Sequence, residues 1–449
     1  MALPGSRWTL IATILGTSIV FIDSTVVNVA LPSIQADLGG GLAAQLWVVD
    51  AYLLTLGSLI LVGGSLGDIF GEVRLFVVGV VAFGIASVLC ALAPDINSLI
   101  VFRGLQGIAG ALLTPASLAV ITGTFSGSER GAAIGMWTAW SGMSMIVGPL
   151  LGGWLIGVAS WRAIFFLNIP IAIATILIVV LLMPRPTAGG GTRARVDVLG
   201  GVLCAAGLGG IVYALIEQPQ QGWIWPAIAG GVLCLVAFLW WERRNPQPML
   251  PLRLFRSRNF SVTNIETLAV YGGLSAWGFF LVLFLQQVAG WSPLESGLAT
   301  IPVTVVMFFL SPRTGRLSAR YGPRLFMGLG PLLAGASLYP LARMPADVTY
   351  WADLLLPLLG FAVGLSLTVA PLTTTVLSEA GPGDAGIASG VNNAVARVAG
   401  LVAIAGIGIA ASGGGDTLTE HGFHVAMAIT ATLICLGGAI GAVGIRNPS

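Results

Sequence analysis

Runs of about twenty apolar residues recur along the chain, each closed by a short segment carrying Arg, Gly or Pro. Fourteen such runs begin near Trp8, Ala44, Leu75, Leu99, Ala132, Arg162, Val198, Trp223, Phe260, Gly297, Leu325, Ala352, Gly386 and Phe423. A helix needs about 20 such residues to cross ~30 Å of hydrocarbon. Every backbone N–H and C=O must be satisfied within that hydrocarbon, and the alternation of a membrane barrel is absent, so the runs predict α-helices. The first run, with Arg7 ahead of it, has the outline of a signal peptide, but it carries Asp23 and Asn28 and leads straight into further spans. It reads as a retained first helix. The pattern predicts an all-α integral membrane protein.

Composition narrows the class. Of 449 residues, 56% are hydrophobic and 8% charged, against about a quarter charged in an ordinary soluble domain. A water-soluble enzyme, a nucleic-acid-binding protein and a disordered chain are thereby excluded. Cys90, Cys204, Cys234 and Cys435 lie inside apolar runs without metal-ligand spacing and read as small core residues. The placement of charge says more than its amount, because Arg in short loops collects on the cytoplasmic face. With the N-terminus inside, the Arg residues outside the spans share that face, except Arg162 and Arg343. Segments 184–197 and 242–258 are both Arg-rich and should share a face, which requires an even number of crossings between them. Two runs fit there, giving fourteen helices with both termini cytoplasmic.

An internal echo supports a repeat. GSLGDIFGEVR, Gly64–Arg74, follows the second run, and GRLSARYGPR, Gly315–Arg324, follows the tenth. With the seventh and eighth runs set aside as an insert, each remaining half has six helices and the two loops are equivalent, as in a parallel-repeat transporter. The expected organisation is an N-terminal six-helix bundle over 1–183, a linker with two extra transmembrane helices over 184–258, and a C-terminal six-helix bundle over 259–449.

Eight segments occur in a telling order: DSTVVNVALPSI from Asp23, WVVDAYLL from Trp47, the loop from Gly64, LIVFRGLQGIAGA from Leu99, GPLLGG from Gly148, WRAIFFLNIP from Trp161, RVDVLGGVL from Arg195 and AGIASGVNNAVARVAG from Ala385. Jointly they resemble the major facilitator superfamily, and within it the fourteen-helix drug:proton antiporter branch. The resemblance implies that the loop latches one conformation through Asp68 and Arg74. Here Ile69 and Glu72 stand where basic residues are usual, and the second copy has Arg320 and Arg324 but Ala319 in place of the acid. The latch is expected to be weakened or rewired.

An ionisable group inside a span costs at least a few kcal/mol on insertion scales and is a functional candidate by default. Five qualify: Asp23, Asp50, Arg103, Glu266 and Arg397. Counting at 1.5 Å per residue puts Asp23, Asp50 and Arg103 in the outer halves of their helices, able to share one polar cluster. Glu266 and Arg397 form a candidate pair in the second bundle. Asp23, Arg103 and Glu266 are the proton-coupling candidates; against them stand a structural hydrogen bond from Asp23 to Asn28, and snorkelling of Glu266 toward Arg258. Asp50 is a candidate for attracting a cationic substrate, and Arg397 for organising its bundle and switching conformation. In GPLLGG, Pro149 frees a backbone carbonyl, while Gly148, Gly152 and Gly153 allow close helix contact, which suits a moving interface. Trp137, Trp140, Tyr271, Trp277 and Phe280 are candidates for an aromatic substrate cavity, against the alternative of lipid-facing rings.

The expected function is secondary active efflux across the cytoplasmic (inner) membrane, exchanging protons for lipophilic drugs, cationic ones among them, by alternating access. No cofactor is expected beyond the proton gradient. The expected partners are a small lipophilic substrate, protons and membrane lipids, with the protein monomeric and no nucleic acid bound. The alternatives are an exporter dedicated to one metabolite, antibiotic, siderophore or lipid, and a non-transporting membrane sensor.

Overall fold

The computed structural model describes residues 6–125, 127–183, 196–379, 385–413, 415 and 417–447. Among these residues the regular elements are all helical, and the longer ones build the fold. They are α1 (Ser6–Leu38), α2 (Leu42–Phe70), α3 (Glu72–Ala91), α4 (Ile96–Thr124), α5 (Gly127–Val158), α6 (Arg162–Leu181, with a break at Leu167), α7 (Val198–Ile216), α8 (Trp225–Arg244), α9 (Arg258–Gln287), α10 (Ile301–Tyr321), α11 (Pro323–Leu338), α12 (Leu355–Ser378), α13 (Ala385–Ser412) and α14 (Glu420–Gly444). Each apolar run of the sequence therefore lies on a helix. Thirteen of these helices are long and apolar enough to cross a membrane, and in α5 the apolar stretch is the shorter Val147–Val158.

Local chemistry sets the helix ends. The Asp95 carboxylate accepts from Ser98 N–H at 2.9 Å at the start of α4, the Ser257 hydroxyl from Phe260 N–H at 3.2 Å at the start of α9, and the Thr419 hydroxyl from Gly422 N–H at 3.0 Å at the start of α14. The cap bonds on Asp95 hold its carboxyl below its usual value. The echoed loops end alike: Gly71 (φ 91°) precedes α3 and Gly322 (φ 86°) precedes α11. Side chains rarely adopt that backbone region, so both copies of the motif use glycine at this turn.

The chain divides into two compact units: Met1–Gly40, Trp47–Gly209 and Gly231–Leu250 form the first, and Gly41–Leu46, Gly210–Gly230 and Pro251–Ser449 the second. In the first unit α1 and α5 run in the same sense and meet through small and polar residues. Trp137 Nε1 donates to Thr17 Oγ1 at 3.0 Å and Ser144 Oγ to Ser18 Oγ at 2.7 Å. Further along the pair, a Cβ on Gly148 would stand 2.2 Å from Thr25 Oγ1 and one on Gly152 2.4 Å from Val26 Cγ2. Two glycines of the GPLLGG segment are thus spent on close contact with α1. In the second unit the same device joins α11 to α12, where a Cβ on Gly364 would lie 2.4 Å from the Ala334 nitrogen.

Candidate functional site

Polar side chains are few in the first unit, and the helices bring several of them to one point. Arg103 of α4 is 1% exposed and Asp23 of α1 is 0% exposed, and Arg103 Nη1 lies 2.5 Å from Asp23 Oδ2. Arg103 Nη1 also donates to Gln106 Oε1 at 2.6 Å, and Arg103 Nε to the Val48 carbonyl of α2 at 3.1 Å. The other Asp23 oxygen, Oδ1, accepts from Gln106 Nε2 at 2.8 Å and from Asn168 Nδ2 of α6 at 3.2 Å. Ser87 of α3 joins from behind, its hydroxyl accepting from Gln106 at 2.9 Å and Asn168 at 3.1 Å. Tyr52 lays its ring 4.3 Å from the guanidinium. Five helices thus meet in one network in which the carboxylate and the guanidinium are both paired and further hydrogen-bonded, the condition under which a buried ion pair is tolerated.

The expectation that Asp23, Asp50 and Arg103 share a cluster holds for two of the three. Asp50 is 0% exposed, but neither of its oxygens has a hydrogen-bond partner. The helix turns Val48, two residues earlier, toward Arg103 instead. Asp23 bonds Gln106 and Asn168 rather than Asn28, whose buried Oδ1 is itself unpartnered.

In the second unit Glu266 of α9 is 0% exposed, and both its oxygens lack a hydrogen-bond partner. It lies against α14, where a Cβ on Gly441 would stand 2.6 Å from Glu266 Oε2. It does not snorkel to Arg258, which donates to the Gly444 carbonyl at 2.9 Å. Nor is it bonded to Arg397, which is within electrostatic reach of Tyr271. The Glu266–Arg397 pair expected from the sequence does not form, because residues of one bundle can face different neighbours around their helix axes. Near Glu266, Asn392 Nδ2 of α13 donates to Thr267 Oγ1 at 2.8 Å and to Asn264 Oδ1 at 3.2 Å.

The aromatic candidates separate by exposure. Trp140 is 54% exposed, whereas Trp277 is 7% and Phe280 0% exposed. Trp277 packs against Phe361 with ring centroids 4.6 Å apart, and Phe280 against Phe279 at 4.9 Å. Both are core residues in this conformation, not cavity walls. Trp137 and Tyr271 are partly buried. Arg74 of the loop is exposed, Pro149 is half-buried and Gly153 buried, while the Asp68 side chain lies outside the described residues. The residues missed from sequence are Gln106, Asn168 and Ser87. The i, i+3 spacing of Arg103 and Gln106 on one helix face was the available signal for the first.

A family model described as Major Facilitator Superfamily matches residues 13–199 and 196–404. The chain belongs to the Major Facilitator Superfamily. Among its relatives, the tetracenomycin C resistance and export protein of Streptomyces glaucescens is 33% identical, the match covering 91% of this chain and 76% of that protein. The puromycin resistance protein Pur8 of Streptomyces alboniger is 35% identical over 96% of this chain and 87% of its own. The multidrug resistance protein Stp of Mycobacterium tuberculosis is 33% identical over 89% and 75%. A crystal structure of a D-xylose–proton symporter matches 98% of each chain with a TM-score of 0.69 at 14% identity, which shows the superfamily fold. Membership places this chain among membrane transporters rather than enzymes, and the Asp23–Arg103 network lies in the helices that carry its superfamily motifs.

Proposed function

We propose that this superfamily member is a secondary active exporter of lipophilic drugs or antibiotics, driven by proton exchange across the cytoplasmic membrane. It crosses the membrane fourteen times with both termini inside, as a monomer, with bundles over 1–183 and 259–449 and the 184–258 segment inserted between them. Three relatives named for resistance to, or export of, drugs support the direction of transport.

The observation that carries the coupling is the Asp23–Arg103 pair. With Arg103 engaged, Asp23 accepts from three donors. A proton arriving on Asp23 removes the charge that holds Arg103, so the pair can exist in a bound, proton-free form and a separated, protonated form. Substrate entering from the inside favours the proton-free form, and protonation from the outside releases it. Glu266 and Asp50, buried without a hydrogen-bond donor, are further proton-binding groups. The small-residue contact of Gly148 and Gly152 with α1, next to Pro149, gives the helix carrying Asp23 a close, bendable neighbour. Arg74, Asp68 and Arg397 act in the conformational switch, and of the five aromatic candidates Trp137, Trp140 and Tyr271 are the more exposed and meet substrate. Trp277, Phe280 and Asp50 reach it only if the conformation changes.

Asp23→Asn tests the reading. It keeps the side-chain volume and an acceptor for Arg103 but cannot exchange a proton. The expected result in inverted vesicles is folded protein without proton-driven uptake of a lipophilic dye; normal uptake by this variant contradicts the assignment. A second reading, an exporter dedicated to one antibiotic, is favoured by the tetracenomycin relative, whose name ties it to a single compound. A panel of unrelated dyes separates the two, because a dedicated exporter ignores most of them.

A further inference from the structure

At the Arg-rich end of α7 and α8, away from the residues used above, two carboxyl groups meet. Asp197 immediately precedes α7 and is 6% exposed, and Glu242, in the last turn of α8, is 3% exposed. A Cβ on Gly200 would stand 2.7 Å from both Asp197 Oδ2 and Glu242 Oε1, so the oxygens converge on one glycine. The two side chains are within reach of one another. Two carboxylates can only accept, so a bond between them requires a shared proton.

The remaining bonds say which acid holds it. Asp197 Oδ1 accepts from Gly200 N–H and from Trp241 Nε1, each at 2.8 Å, and Oδ2 from Asn245 Nδ2 at 2.7 Å. Burial opposes the charge on Asp197, but these donors together with Glu242 outweigh it and hold its carboxyl below the usual value. Glu242 accepts one bond, from Leu250 N–H to Oε2 at 2.8 Å. Its buried Oε1 has no N–H or other ordinary donor and faces Asp197. Oε1 is therefore the atom that carries the proton and donates it to Asp197 Oδ2.

We propose that Asp197 and Glu242 form a proton-binding site on the inserted helices, which holds one proton between the two carboxyls and with it clamps α7 to α8 and to the chain as far as Leu250. The proton comes from, and returns to, the water at the Arg-rich end. When it leaves, two buried carboxylates face one another and repel, which drives apart the side chains and the segments that carry them. The surroundings supply no alternative charge. Trp241 and Asn245 are neutral donors from α8, and Cys204 of α7 is within electrostatic reach of Glu242 as a thiol. Leu59 and Val62 of α2 meet α7 at Gly201 with apolar side chains. Arg243 and Arg244 are exposed, with Arg244 lying 4.2 Å from the Trp240 ring, and neither acid has an ion-pair partner among the described residues. Arg193 and Arg195 lie outside those residues.

Amide hydrogen exchange of residues 243–250 in the purified full-length protein, corrected for base catalysis, reads the clamp directly. Protection in the wild type is expected to fall about tenfold from mildly acidic to alkaline pH, as the repelling carboxylates part and carry Glu242 away from Leu250 N–H. Glu242→Gln copies the protonated acid, since its amide donates to Asp197 and its oxygen accepts from Leu250, so its protection should stay at the acidic level throughout. Glu242→Ala should be unprotected at every pH. Protection that is flat with pH in the wild type, or that falls equally in Glu242→Gln, overturns the proposal. Should Glu242→Gln not fold, the wild-type titration and the loss of a protonated-carboxyl infrared band at alkaline pH decide it: both changes are expected, and a flat titration or a band that persists overturns it.

Discussion

Asp23 and Glu266 are both 0% exposed, one on α1 and the other on α9, yet the first accepts hydrogen bonds from Arg103, Gln106 and Asn168 while the second accepts none. One buried acid is held by three donors, and the other sits against Gly441 of α14 with no hydrogen-bond partner. Burial alone therefore does not give a membrane acid its role; its donors do. Protonating an acid that is held by an arginine must rearrange its partners, whereas an acid without partners has none to rearrange.

The largest effect should come from breaking the satisfied side. Arg103→Ala leaves Asp23 as an uncompensated buried charge, a change that costs about 3–5 kcal/mol, visible as low yield and a lowered unfolding temperature in detergent. The opposite sign is expected at the bare acid. Glu266→Leu removes two unsatisfied oxygens, whose burial costs about 1–3 kcal/mol, so the variant should unfold at the same or a higher temperature while its efflux loses part of its pH dependence. If Glu266→Leu destabilises the protein as much as Arg103→Ala does, the contrast between the acids is wrong. Asn168→Ala withdraws a single neutral donor from Asp23 and should cost about 0.5–1.5 kcal/mol, read as a small fall in the unfolding temperature. The smallest change belongs to Trp140→Ala. Its ring is 54% exposed, so stability should stay within about 0.5 kcal/mol, and the readout is the apparent affinity for aromatic substrates.

The same contrast marks how far the sequence could be read. The helices were legible because hydrocarbon demands long apolar runs, and the repeat because Gly71 and Gly322 recur before α3 and α11 with the same positive φ. Asp23 and Arg103 stood out since charge is scarce in the spans. Their partners did not: Asn168 and Ser87 are uncharged, and residues of that kind occur on many helix faces without meeting anything. Depth along a helix can be counted from sequence, but rotation about its axis cannot, so Asp50 and Arg397 look like neighbours of Arg103 and Glu266, which they do not bind. Trp277 and Phe280 show the same limit, since an aromatic in a span looks alike whether it lines a cavity or, as here, fills the core. The Asp197–Glu242 contact was out of reach for a further reason: 45 positions separate the two acids, and only the folding back of α8 on α7 joins them.

Proton release from purified protein in weak buffer, on addition of a lipophilic cation such as ethidium, tests the central claim most directly. The wild type should release protons on binding, and Asp23→Asn should bind the cation with the release abolished or sharply reduced, while Glu266→Gln retains the Asp23-linked part. Release of the wild-type size from Asp23→Asn would show that the Asp23–Arg103 pair does not carry the exchanged proton.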